Sequence, residues 1–83
     1  MVVHKKKAQT LHRFRTTTKV HALVIRLWTL PDSFSHYDYF ITEMGDMQYV
    51  SGHFFNLQDA ITEGIDKLGD YGQVSFTNIY GSV

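Results

Sequence analysis

The side chains in this sequence that are most able to do chemistry are five histidines, and their spacing matches no catalytic or metal-binding pattern. They are His4, His12, His21, His36 and His53. None of the pairs has the i,i+4 spacing of a helical zinc motif. His36 and Asp38 lie two residues apart, so a strand would place them on one side, where a metal ion or a general base is conceivable. We favour a solvated or hydrogen-bonded pair on a sheet surface.

Other patterns that carry catalysis are missing as well. The sequence contains no nucleophile elbow, phosphate-binding loop or dinucleotide fingerprint, and residues 69–72 are typical of a helix-to-strand turn. The absence of cysteine excludes disulfides and cysteine-based zinc sites. A chain of 83 residues also has little room for a deep pocket. We therefore predict a protein that is not an enzyme, without catalytic residues, cofactor or metal site.

Charge is divided unevenly along the chain, although the net charge is zero. Residues 1–31 contain no acid and seven basic residues, whereas residues 32–83 contain all eight acids and only Lys67 as a base. Such asymmetry suggests a basic arm with a polyanionic partner. The alternative is that the two halves neutralise each other, within the fold or across a dimer.

The N-terminal segment carries the strongest functional signal. Residues 1–9 are polar and basic and lack periodicity, so we predict a mobile tail there and a single domain over residues 10–83. In Arg13-Phe14-Arg15, the arginines could neutralise phosphates while Phe14 stacks on a base. The predicted nucleic-acid-binding residues are Lys5, Lys6, Lys7, Arg13, Phe14, Arg15, Lys19 and Arg26.

The elements that must position these residues are mostly strands. Residues 10–18 predict an edge strand or an extended arm, and residues 20–30 a central strand with two largely apolar faces. These faces are Leu23, Ile25 and Leu27 on one side and Val24, Arg26 and Trp28 on the other. Residues 36–44 and 47–50 form a predicted hairpin with Gly45-Asp46 as a type II′ turn. Residues 73–80 predict a last strand.

One helix follows the hairpin. Asn56 is a good N-cap, residues 57–68 carry a single apolar stripe, and Gly69 is expected to end the helix as a C′ residue. Gly64 lies on that stripe, which predicts close contact between helix and sheet. The predicted fold class is α+β: a small antiparallel sheet of four to five strands with one helix packed on one face, in the order β(β)ββαβ.

The strand-to-helix junction resembles three kinds of small domain. Three antiparallel strands and a helix that opens with Phe55, Leu57, Asp59, Ala60 and Ile61 are similar to AP2-like and integrase arm-type DNA-binding domains and to small antitoxins of the HicB type. Any strand-to-helix junction with an N-cap has this spacing, so the resemblance implies no function or site residue for this chain.

The leading hypothesis is a small non-enzymatic binding protein whose basic arm contacts nucleic acid or another polyanion. The alternative is a small regulator or inhibitor that binds a protein through its aromatic sheet surface or acidic helix face. The residues of that alternative interface are Tyr37, Tyr39, Asp59, Glu63 and Asp66. We expect a cytoplasmic protein without a membrane span, because the longest apolar run is short. A homo-oligomer remains open.

Overall fold

The computed structural model describes residues 7–31 and 34–76, which form five strands and one helix. The elements are β1 (Lys7–Thr16), β2 (His21–Thr29), β3 (His36–Glu43), β4 (Asp46–Phe54), α1 (Leu57–Gly69) and β5 (Val74–Ser75). The strands form one antiparallel sheet in the order β4-β3-β2-β1-β5. The predicted α+β class and element order are confirmed. Of the predicted last strand, residues 77–80 lie outside the described residues.

The first strand begins earlier than the sequence predicts. Lys7, Ala8 and Gln9 pair with residues 29, 28 and 27 of β2, so these three residues belong to the sheet and not to a tail. The reason is that β2 continues to Thr29. Its backbone N–H and C=O groups can pair with any residue opposite them, whether the side chain of that residue is polar or apolar. Residues 1–6 lie outside the described residues. At its other end β1 also pairs with β5, so it is not an edge strand there.

The predicted β3–β4 hairpin is present, but its turn is shifted by one residue. Glu43 pairs with Asp46, so Met44 and Gly45 form the two-residue loop, with φ angles of 49° and 92°. Positive φ at both central positions is the type I′ pattern, not the predicted type II′. Pairing of Asp46 extends the ladder by one residue pair, and this requires Met44 to adopt the left-handed conformation.

The core lies between α1 and one face of the sheet. Leu23 and Ile25 of β2 are fully buried, and Ala60 and Leu68 of α1 pack against the same cluster. A Cβ atom added to Gly64 would lie 2.9 Å from Cδ1 of Leu23, so only glycine allows the helix to approach this closely. The predicted close contact at Gly64 is confirmed, and the alternation predicted for β2 assigns its faces correctly.

The two ends of α1 are closed differently. The side-chain oxygen of Asn56 accepts a hydrogen bond of 2.8 Å from the backbone N–H of Gln58, which confirms the predicted N-cap. Gly69 is the last helical residue and Asp70 is the C-cap in a right-handed conformation, so the predicted C′ role of Gly69 is wrong. The backbone N–H of Asp70 donates to the carbonyl of Lys67 over 3.1 Å, which tightens the last turn without a left-handed residue.

Candidate functional site

The face of the sheet opposite α1 is not covered by a helix in the described part of the chain, and we call it the open face. Strand register defines it as Ala8, Thr10, Arg13 and Arg15 of β1, Ala22, Val24, Arg26 and Trp28 of β2, His36, Asp38, Phe40 and Thr42 of β3, and Met47, Val50 and Gly52 of β4. Leu11 is the extra residue of a bulge between Thr10 and His12. The bulge brings Thr10 and Arg13 to the same side.

The centre of the open face is an arginine held between two aromatic rings. Nε of Arg26 donates to Oδ1 of Asp38 over 2.9 Å, and Nη2 donates to Oδ2 over 2.7 Å. The guanidinium carbon lies 5.0 Å from the ring centre of Trp28 and 4.5 Å from that of Phe40. A bidentate ion pair and two cation–π contacts fix all four side chains together. The charge predicted to contact phosphate at Arg26 is therefore balanced by Asp38.

A cleft of about 430 Å³ lies next to this stack. Because β3 lies between β2 and β4, the cleft runs across β3, with Trp28 on one side and residues 50–53 on the other. Gly52 is directly opposite Asp38, and a Cβ atom there would lie 2.8 Å from Cβ of Asp38. Glycine at this position therefore leaves space for the carboxylate that holds Arg26.

Two histidines meet at the cleft. The rings of His36 and His53 have their centres 4.1 Å apart at an angle of 46°. His36 is buried, whereas His53 is exposed and is the extra residue of a bulge in β4. The predicted placement of His36 and Asp38 on one side is confirmed, but His53 was not connected with them. Counting back from the predicted Gly45-Asp46 turn places residue 55 opposite His36 and residue 53 opposite Asp38, so the sequence pattern did not indicate this contact.

A second, smaller depression of about 260 Å³ lies on the other side of Phe40. Arg13, Val24 and Thr42 are among the residues that line it. Arg13 is exposed and Arg15, farther along β1, is partly exposed. The open face therefore carries a region with two arginines, then the stack of Phe40 and Arg26 against Trp28, and then the cleft with the two histidines.

The remaining residues of the predicted nucleic-acid-binding set lie elsewhere. Phe14 is only 8% exposed and belongs to the core, so it offers no stacking surface beside Arg13 and Arg15. Lys7 is exposed at the start of β1, and Lys19 is exposed in the β1–β2 turn, where its φ is 66°. Lys5 and Lys6 lie outside the described residues.

The residues of the alternative protein interface are also divided between core and surface. Tyr39 is 1% exposed and lies in the core, and Tyr37 is partly buried against it. The hydroxyl of Tyr39 donates to Oε2 of Glu63 over 3.0 Å. Burial, and then this hydrogen bond, raise the pKa of Tyr39 well above its ordinary value. Asp59 and Asp66 are exposed on α1, on the other side of the sheet from the open face.

Within residues 7–31 and 34–76, no group of three or more histidines or acids is arranged to hold a metal ion. Asp38, the acid nearest to the two histidines in sequence, has both carboxylate oxygens bonded to Arg26. In the same part of the chain, no helix is long and apolar enough to cross a membrane. The chain matches no model of a known protein family, no curated protein and no solved structure.

Proposed function

We propose that this protein binds nucleic acid without catalysing a reaction, and that the open face makes the contact. Arg13 and Arg15 supply the positive charge, and Trp28 and Phe40 supply aromatic surface. Lys5 and Lys6, which precede β1 in the sequence, would add electrostatic attraction that does not depend on nucleotide sequence. The cysteine-free composition fits a reducing compartment, and we place the protein in the cytoplasm.

The separation of charge between the two sides of the sheet is the observation that carries this proposal. Burial of Phe14 under α1 requires its neighbours Arg13 and Arg15 to point to the open face, because side chains alternate along a strand. The acids of the helix lie behind the sheet. Asp38, which does lie on the open face, is neutralised by Arg26. A polyanion that approaches the open face therefore meets arginines first and is screened from the helix acids.

The stack around Arg26 supports the same surface in a different way. Because Asp38 balances its charge, Arg26 mainly holds Trp28 and Phe40 in place. Aromatic rings that are fixed on a sheet surface offer stacking platforms for bases. Positive side chains for phosphates beside rings for bases are the two components that proteins use to bind nucleic acids with little sequence preference.

The test is fluorescence anisotropy of labelled single- and double-stranded oligonucleotides across a salt series. The variant Arg13→Gln/Arg15→Gln should bind more weakly. The slope of log K against log salt should be shallower by about 0.7–0.9 for each phosphate that is no longer neutralised. Lys67→Gln removes a positive charge from the helix side and serves as the control, with a slope expected to match the unmodified protein. No binding at low salt, or an unchanged slope in the double arginine variant, would refute the proposal.

A second candidate is protein binding through the β4 edge. Within the described part of the sheet, β4 has a paired neighbour on one side only, and Met47 and Val50 are each about half exposed on it. An unpaired strand edge with apolar side chains can accept a strand from a partner protein. Such binding would survive the change of Arg13 and Arg15 and would be abolished when Val50 is replaced by lysine.

A further inference from the structure

We infer that the cleft beside Trp28 holds one unpaired nucleobase, so that the ligand of the open face is single-stranded. This inference rests on the proposed function and specifies the class of nucleic acid. It is drawn from the size of the cleft, the ring that borders it and the polar groups that converge on it.

The dimensions of the cleft favour a single base. Its volume of about 430 Å³ lies in the lower part of the range of sites that bind small molecules. A base within a duplex is held in its stack and paired with its complement, and it reaches a concave site only after it has been flipped out. A single strand presents its bases without that cost. A concave site at the end of a basic face therefore selects against duplex.

The ring of Trp28 is prepared for stacking before a ligand arrives. Trp28 lines the cleft and is in contact with the guanidinium of Arg26, which is fixed in turn by two hydrogen bonds to Asp38. A ring that is already held loses little freedom when a base stacks on it. Removal of one such stacking interaction typically weakens binding by about 5- to 150-fold.

The polar groups of the cleft suit a base that is followed by a phosphate. His53 is exposed, and a neutral imidazole has one donor and one acceptor nitrogen, so it can meet a base edge or a phosphate oxygen. Gly52 places backbone at the cleft without a side chain that would obstruct it. Val50, on the same strand, supplies an apolar edge.

The intrinsic fluorescence of Trp28 reports directly on this cleft, because Trp28 is the only tryptophan of the chain. The full chain is titrated with single-stranded DNA and RNA of about ten nucleotides and with duplexes of the same sequences, and anisotropy is recorded in parallel. Single strands should quench Trp28 at the same concentrations at which anisotropy rises. Duplexes should bind at least about fivefold more weakly.

Two valine substitutions provide a matched comparison. Val50→Phe enlarges a half-exposed side chain that lines the cleft, whereas Val20→Phe makes the same exchange at an exposed valine between β1 and β2, outside the open face and the cleft. Val50→Phe should weaken single-strand binding at least about fivefold, and Val20→Phe should leave it unchanged. Circular dichroism checks that both variants fold. If Val50→Phe does not fold, His53→Ala replaces it and should weaken single-strand binding in the same way.

The outcomes separate this inference from the proposed function. Binding by anisotropy without a change in Trp28 fluorescence, or with equal affinity for duplex, would overturn the cleft inference and leave the open face as the nucleic-acid surface. A Val50→Phe or His53→Ala variant that folds and binds single strands as tightly as the unmodified protein would also overturn the cleft inference alone. If neither single strands nor duplexes bind at low salt, both the cleft inference and the proposed function are overturned. Protein binding through the β4 edge would then be the favoured function.

Discussion

Replacement of Gly64 by alanine should destabilise the protein, although alanine is the better helix former. In an exposed helix this exchange gains about 1 kcal/mol. At Gly64 the added Cβ would lie 2.9 Å and 3.0 Å from the two terminal methyl groups of Leu23, and 3.3 Å from Cδ1 of Ile25. Leu23 and Ile25 are both completely buried, so neither can move away into solvent.

The two contributions have similar magnitudes and opposite signs. Overpacking of a well-packed core by one methyl group costs about 1–3 kcal/mol. One contact of 2.9 Å and one of 3.0 Å with the buried side chain of Leu23 place Gly64 in the upper part of that range. After subtraction of the propensity gain, the free energy of unfolding should fall by about 1–2 kcal/mol. For a domain of this size each kcal/mol corresponds to about 4–8 °C in the melting temperature.

Gly69→Ala provides the matched control. Gly69 lies in the same helix, and nothing is within 4 Å of a Cβ atom built on it. This variant should be as stable as the unmodified protein or more stable, by at most about 1 kcal/mol. Thermal and urea unfolding, followed by circular dichroism and Trp28 fluorescence, measure the free energy of unfolding of the Gly64→Ala and Gly69→Ala variants. A Gly64→Ala variant as stable as the unmodified protein would refute the close approach of helix and sheet.

A double-mutant cycle identifies the side chain responsible. Leu23→Val removes the terminal methyl groups that the new Cβ would meet. In the Leu23→Val background, Gly64→Ala should therefore cost about 1 kcal/mol less than in the unmodified protein. Equal costs in both backgrounds would show that the clash lies elsewhere.

Two further predictions concern Asp38 and Tyr39. Asp38→Asn should lower the free energy of unfolding by about 1–3 kcal/mol, because it weakens charged hydrogen bonds to Arg26. The same substitution should strengthen nucleic-acid binding at low salt, because Arg26 then adds a net positive charge to the open face. The slope of log K against log salt should be steeper by about 0.7–0.9. Weaker binding in the anisotropy assay would contradict this prediction. For Tyr39, whose pKa is raised by burial and then by the hydrogen bond to Glu63, the unfolded chain ionises near pH 10 while the folded protein keeps the proton. Stability should therefore fall as pH rises above about 10, by at most about 1.4 kcal/mol per pH unit from this group, and urea unfolding of Tyr39→Phe at the same pH values should show a shallower fall.

Much of the fold can be predicted from the sequence because it depends on neighbours a few residues away. The apolar alternation of β2, the N-cap at Asn56 and the apolar stripe of α1 each determine a local conformation. Gly64 on that stripe indicated the contact with the sheet, because glycine there has no local advantage. The predicted β3–β4 hairpin is present for the same reason, although its turn is shifted.

The candidate site depended on information that no local pattern contains. Arg13-Phe14-Arg15 alternates, but alternation does not say which face a helix will cover. The position of α1 buries Phe14 and leaves the arginines on the open face. Sequence alone therefore predicted a basic segment that could contact phosphate, while the tertiary structure decided that Phe14 is core.

The partners of Arg26 and His53 were decided in the same way. Arg26 meets Asp38, and His53 meets His36, only because neighbouring strands pair in a particular register, which for β3 and β4 includes two bulges. A bulge is set by the fit between two strands and not by either one. The sequence by itself determined the strands, the helix and the division of charge. Tertiary structure decided which charges are neutralised and which rings meet, because these depend on distances between residues on different strands.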